Sequence, residues 1–358
     1  VTTVAIIGTG AEPDDPDRTG FAMAYSHADA YEAVADCEIV ACADIVRENA
    51  AAFADAYDLP EGGVYTDHET MLDAVDPDVV SVCTPPAVHE DLVVDCIDHG
   101  VGAVHCEKPM ADTWGASRRM AAAAADSETQ LTFNHQRRFG RPFRRAKELL
   151  DAGAIGDLER IELAAGNLMD YASHSIDLAH YFADETDVAW VMGQFDYRDA
   201  TEFFGVHNEN QGIATWAYES GVHALAATGD EHGPGLVDCH HRLVGSDGEI
   251  EIGVGFPNTD DHGTHRVRRA GSGEWEPLDA DGETVHGPDF VERAIRDVVE
   301  SYREGRDCEL RAENALRTTE VIFAAYESAR RRGRIDLPLD IEDHPLEALI
   351  AAEGDGTE

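Results

Sequence analysis

Apolar runs and amphipathic stretches alternate through the first third of the chain, and that alternation predicts its architecture. Residues 3–8 (TVAIIG) form a β-branched run closed by glycine, and residues 21–34 space their apolar positions as a helix requires. Strand character returns at 38–44, helical spacing at 47–59, and a weak strand surrounds Val64 and Tyr65. The cycle then repeats. DVVSVCTPP (78–86) reads as strand and proline stop, HEDLVVDCIDHG (89–100) as helix with glycine just after it, and GAVHCEKP (102–109) as strand and loop. The strands are apolar nearly throughout, as expected where helices cover both faces of a parallel sheet. Strict strand–helix alternation predicts an α/β, doubly wound first domain over residues 1–135.

Past residue 135 the pattern changes. A helix at 142–152 stops at Gly153, LERIELAAG (158–166) alternates like a strand, and HSIDLAHYFAD (174–184) is helical again. Short alternating strands fill 188–278, with ESG and SDG where hairpin turns belong, and two helices follow at 288–302 and 312–332. This predicts an α+β second domain over 136–340, with a large, mostly antiparallel, open-faced sheet. Residues 341–358 are expected to form an acidic, partly loose tail.

Composition narrows the functional classes. With 27 Lys+Arg against 72 Asp+Glu the formal net charge is −45, which argues against partners such as nucleic acid or an anionic membrane surface. The simplest setting for such a charge is a cytosol of very high salt, as in a halophile, where screening acts over roughly 3 Å at 1 M ionic strength. Lysine is almost eliminated: only Lys108 and Lys147 remain. The seven cysteines form no C-x-x-C pair and mostly sit in apolar runs, so they are expected to be reduced and buried, in a cytoplasmic protein. No basic-then-apolar leader is seen at the start of the sequence, so no signal peptide is expected, and no apolar run approaches the roughly 18 residues that span a bilayer.

The first strand opens into IIGTGAEPDDPDRTG. Gly8 and Gly10, with Thr9 between them, supply the tight turn and close backbone approach that a dinucleotide pyrophosphate needs. Proline occupies position 13, where the third glycine of G-x-G-x-x-G would stand, and an acidic insertion at 12–18 precedes Gly20 as its substitute. Asp44 ends the second strand, placed to accept hydrogen bonds from an adenosine ribose, which favours NAD; Arg47 nearby leaves NADP open. An ordinary turn with a capping aspartate is the plain alternative.

GTG, the HADAY of the first helix, Asp44, TPPAVH (84–89), EKP (107–109), NHQRRF (134–139) and DYASHSID (170–177) together make the chain resemble the Gfo/Idh/MocA family of sugar and polyol dehydrogenases. The resemblance covers nearly the whole chain. Two departures, the glycine-loop insertion and Ala172 where the family usually has glycine, mark a distinct subgroup. The resemblance implies hydride transfer between a nicotinamide and a secondary alcohol of a sugar, sugar derivative or cyclitol. Such chemistry needs a base for the hydroxyl proton and a cation beside the developing alkoxide. By resemblance Lys108 is that cation or a proton relay, His174 the general acid/base, and Asp170 the group that orients His174 or binds a substrate hydroxyl. Arg138 is implied to contact substrate or a domain-interface carboxylate. Thr84, Pro85, His89, Glu107 and Lys108 are implied to flank the cofactor, with Glu107 alternatively pinning its loop. A homo-oligomer, dimer or tetramer, through the second domain's sheet is also implied.

Each residue has a plainer reading: a surface lysine, a capping or core histidine, an N-cap aspartate. His240-His241 and His262…His265 lack cysteine partners at zinc spacing, so no metal is expected. Two other functions stay open on the same fold, a non-catalytic cofactor or sugar sensor and an NAD-dependent glycoside hydrolase with transient hydride transfer.

Overall fold

The computed structural model describes residues 1–16, 21–199, 201–229, 234–256, 263–269 and 271–354. Two compact units emerge. The first comprises Val1–Asp112, Ala116–Asn134 and Pro288–Leu316, and the second Thr113–Gly115, His135–Gly287 and Arg317–Glu358.

In the first unit β1 (Thr2–Ile7), α1 (Met23–Glu32), β2 (Cys37–Ala43), α2 (Arg47–Ala56), β3 (Val64–Tyr65) and α3 (His68–Val75) are followed by β4 (Val79–Val82) and α4 (His89–Asp98). Then come β5 (Ala103–Cys106), α5 (Trp114–Ala125) and β6 (Gln130–Phe133). The six strands are parallel in the order β3-β2-β1-β4-β5-β6, the doubly wound arrangement that the apolar strands predict. β4 and β5 are buried along their whole length because clusters of apolar side chains pack on both faces.

In the second unit α6 (Arg141–Asp151), β7 (Leu158–Ala165) and α7 (Ala172–Phe182) precede the strands β8 (Val188–Asp196), β9 (Thr201–Phe203), β10 (Val206–Asn208), β11 (Gln211–Tyr218) and β12 (His223–Gly229). β13 (Cys239–Gly245), β14 (Gly248–Val254), β15 (His265–Arg268) and β16 (Glu276–Pro277) complete the run. The chain ends in α8 (Pro288–Glu304), α9 (Ala312–Arg331), β17 (Ile335–Asp336) and α10 (Pro345–Gly354). Nine strands form one sheet, antiparallel except where β7 pairs with β12. The ESG and SDG turns join β11 to β12 and β13 to β14. One face of the sheet is covered: Val191, Ala214, Trp216 and Ala226 are buried, whereas their strand neighbours Met192 and Ile213 are exposed.

Two expectations change. Residues 288–316 join the first unit instead of the second, because Val291, Ile295 and Val299 on one stripe of α8 pack into the cluster that holds Ala24, Ala28 and Tyr31 of α1. The expected loose tail carries α10, anchored by buried Leu346 and by Glu347 accepting from His207. The insertion is exposed at residues 12–16, and its Arg18, like Gly20 and His262, lies outside the described residues. Among the described residues no helix is long and apolar enough to cross a membrane.

Candidate active site

At the exit of β1 the chain must turn against β4. A Cβ on Gly8 would lie 2.5 Å from Thr84 Cγ2 and 3.0 Å from the Cys83 carbonyl oxygen, and its φ is +83°, so glycine is required there. Gly10 has φ +63° and faces open space. The Asp44 carboxylate, just beyond β2, shapes this turn: Oδ2 accepts from the Gly10 N–H at 2.8 Å and the Thr9 hydroxyl at 3.2 Å, and Oδ1 from the Val46 N–H. Two positive-φ glycines, of which Gly10 faces open space, and a carboxylate at the next strand end suit a ribose and pyrophosphate. Asp44 thus closes the turn through both carboxylate oxygens.

The loops after β4 and β5 are braced by buried side chains. Glu107 is buried; its Oε1 accepts from Asn134 Nδ2 at 2.7 Å and from His27 Nε2 at 3.0 Å, and its Oε2 accepts the Lys108 N–H at 3.2 Å. Burial alone would raise this carboxyl, but His27 and Asn134 hold it down at about 2. His89 is buried with one ring nitrogen 2.8 Å from the Thr84 carbonyl and the other 3.1 Å from that of Pro109. Both residues lie against backbone atoms of the loops they brace, as the loop-pinning reading of Glu107 has it. Thr84 and Lys108 are half-buried and Pro85 is exposed.

In the second unit Asp170 and His174 are both buried. α7 begins at Ala172, so Asp170 lies in the preceding turn rather than on a shared helical face with His174. Asn167 sets that turn, its Oδ1 accepting from the backbone N–H groups of Asp170 and Tyr171. The His174 ring meets the His135 ring edge-on at 5.7 Å, and His135 Nδ1 is 3.5 Å from Asp177.

Of the two readings of Arg138, the structure shows carboxylate contacts, and both carboxylates belong to its own unit. Its Nε and Nη2 contact the two Asp177 carboxylate oxygens at 2.5 and 2.7 Å, and Nη1 reaches Glu185 at 2.6 Å. Burial disfavours this charge, but the two carboxylates more than compensate and push its pKa above the ordinary arginine value. A guanidinium so saturated holds α7 in place and has no fork left for substrate. Arg138→Leu is expected to lower stability by about 3–5 kcal/mol, read from the urea midpoint, because buried Asp177 loses the partner that offsets its desolvation; Arg138→Leu with Asp177→Leu should recover much of the loss.

The neighbouring Arg137 faces the other way. It is buried, with its pKa pushed down to about 10 by desolvation against the opposing charge of Asp170. Nη1 donates to His240 Nε2 at 2.9 Å, His240 Nδ1 lies 2.7 Å from His241 Nδ1, and His241 Nε2 donates to the Ser175 carbonyl at 3.0 Å. These partners fix the tautomers: Arg137 donates to His240, which donates to His241, which donates to the residue after His174. Burial keeps His241 neutral, its pKa down at about 4. The histidine pair, which the sequence places in a turn-rich segment, sits inside β13 and serves this chain. In the sequence, His27 in HADAY and Asn134, His135 and Arg137 in NHQRRF are only parts of motifs with no role given, and the His240-His241 pair is weighed only as metal ligands; their positions beside Glu107, His174 and Arg137 come from the fold.

Comparison with known proteins adds the relationship. Residues 2–135 match the sequence model of an oxidoreductase family's NAD-binding Rossmann fold, and residues 147–337 match that family's C-terminal alpha/beta domain. D-glucoside 3-dehydrogenase of Escherichia coli is 33% identical over 155 residues, 43% of this chain and 40% of that protein. Inositol 2-dehydrogenase of Rhizobium meliloti is 28% identical over 178 residues, 46% of this chain and 52% of that protein. The match thus spans about half the length, or less, of these curated relatives. A levoglucosan dehydrogenase solved with NADH and levoglucosan superposes with a TM-score of 0.75 over 94% of this chain and 100% of that one, at 18% identity, a likeness of fold.

Proposed function

Because the chain belongs to the Gfo/Idh/MocA oxidoreductase family, we propose that it is an NAD-dependent dehydrogenase acting on a secondary hydroxyl of a sugar, sugar derivative or cyclitol. One observation carries the reading. In a chain with two lysines, one stands in the loop after β5, with its backbone N–H held by a buried glutamate, in the same unit as a glycine turn shaped for a dinucleotide.

Gly8, Thr9, Gly10, Asp44 and Thr84 would hold the cofactor, and NAD when bound supplies the hydride acceptor. The Asp44 carboxylate repels a 2′-phosphate and so favours NAD, while exposed Arg47 is the cation NADP would need. Lys108 holds the substrate oxygen and stabilises the negative charge that develops on it as its proton leaves. His174 takes that proton and returns it in the reverse direction, its ring held against His135. Asp170 binds a neighbouring hydroxyl or orients His174. The substrate is polyhydroxylated, and the enzyme works in a salt-rich cytoplasm. The exposed sheet face bearing Met192 and Ile213 receives a second copy of the chain.

A panel of sugars and polyols incubated with NAD and with NADP in molar KCl tests this. Net NADH absorbance should accumulate with at least one cyclitol or sugar. A sensor would bind without turnover, and a hydrolase would release product with no net NADH.

A further inference from the structure

Lys108 is held from two sides by histidines that belong to different helices. On one side His27 of α1 is fully buried, and its Nε2 lies 3.0 Å from Glu107 Oε1, while Glu107 Oε2 accepts the Lys108 N–H. His27 is itself fixed: Nδ1 is 3.1 Å from Ser81 Oγ and 3.5 Å from Cys83 Sγ, Ser81 is bonded to Tyr31, and the His105 ring stacks at 5.1 Å. On the other side His89 of α4 spans from the Thr84 carbonyl to those of Pro109 and Met110, immediately after Lys108. Both rings are packed among protein atoms; His89, which burial holds toward its neutral form, donates through one nitrogen, to the Thr84 carbonyl or to those of Pro109 and Met110.

We propose that His27 and His89 are positioning residues that clamp the Lys108 loop, His27 through the Glu107 carboxylate and His89 through the loop carbonyls. The proposal rests on Lys108 being the cation at the reacting hydroxyl. A long, flexible lysine on an unbraced loop would sample many placements, whereas an ammonium that stabilises a developing oxyanion must be preplaced. The clamp reaches back to β4 through Ser81, Cys83 and Thr84, so the two loops after β4 and β5 are placed as one piece. The pairing of charges strengthens the brace, since burial disfavours the His27 imidazolium but Cys83 and Glu107 push its pKa up to about 10.

The near absence of lysine makes the test direct. In a Lys147→Arg background Lys108 is the only lysine, so reductive methylation with a ¹³C label gives one side-chain resonance besides that of the N-terminal amine. NADH is the probe. The Lys108 resonance is expected to shift when NADH is added. His27→Leu should reduce that shift at least threefold, with NADH affinity by fluorescence within about threefold. His27→Gln, which keeps a donor for Glu107, should retain more of it. Should the leucine variant fail to fold, Glu107→Gln carries the same test, since it keeps shape and removes the charge; His89→Leu tests the other side. An unchanged Lys108 shift in folded His27 and Glu107 variants would overturn the clamp. The spectrum needs no turnover, so it is separate from the proposed chemistry, which fails if a Lys108→Ala enzyme turns over normally.

Discussion

Lys108→Ala is expected to lower turnover by about 10³-fold or more while leaving NADH affinity within about threefold. The size follows from the charge the ammonium must stabilise. Removing one preorganised donor from a developing oxyanion costs about 10²–10³ in kcat, and loss of a proton relay adds to that. The structure makes the substitution clean. Glu107 holds the loop through the Lys108 backbone N–H, and His89 holds it through backbone carbonyls, so alanine keeps both attachments. A deficit therefore reports the missing ammonium rather than a collapsed loop. Lys108→Arg should rescue poorly, because a planar fork does not reproduce a compact point charge. Steady-state NADH formation with the best substrate of the panel measures both variants, and near-normal turnover in the alanine variant would remove Lys108 from the chemistry.

The architecture was legible in the sequence because burial on both faces of a parallel sheet leaves no polar alternation to mistake. DVVSVC and GAVHC could hardly be anything but central strands, and they became β4 and β5. Periodicity also marked the helix at 288–302 as amphipathic, but a stripe does not say which core it will fill, and α8 filled that of the first unit. The same limit applies within the site. In NHQRRF two arginines stand side by side on one tight turn, and only the fold decides that Arg138 meets Asp177 while Arg137 meets His240. Glu107 and His89 were found as positions, yet their work depends on partners at His27, Asn134 and Pro109, some of them 80 residues away along the chain. Contacts of that range carry no local signature.

Stability is expected to depend steeply on salt, with the melting temperature rising by tens of degrees between low ionic strength and molar KCl. Even if each of the 27 bases neutralised one acid, 45 of the 72 carboxylates would remain unmatched. Dividing the accessible surface of 15392 Å² among those 45 charges leaves about 340 Å² each, a mean spacing of about 18 Å. The Debye length is about 30 Å at 0.01 M salt, longer than that spacing, so every net charge feels its neighbours. At 1 M it is about 3 Å, and the repulsion is confined to immediate contacts. Unfolding spreads the charges apart, so repulsion favours the unfolded chain at low salt and loses that leverage at high salt. The buried pairs respond differently. Arg138 with Asp177 and His27 with Glu107 are shielded from the ions and should persist wherever the fold persists. KCl is the informative salt, since sulfate would also strengthen apolar burial through its exclusion from the surface. Melting that is flat from low to molar KCl would mean that the excess carboxylates are neutralised some other way. A rise that saturates near 1 M would identify the charge as an adaptation to the medium, separate from the proposed chemistry at Lys108.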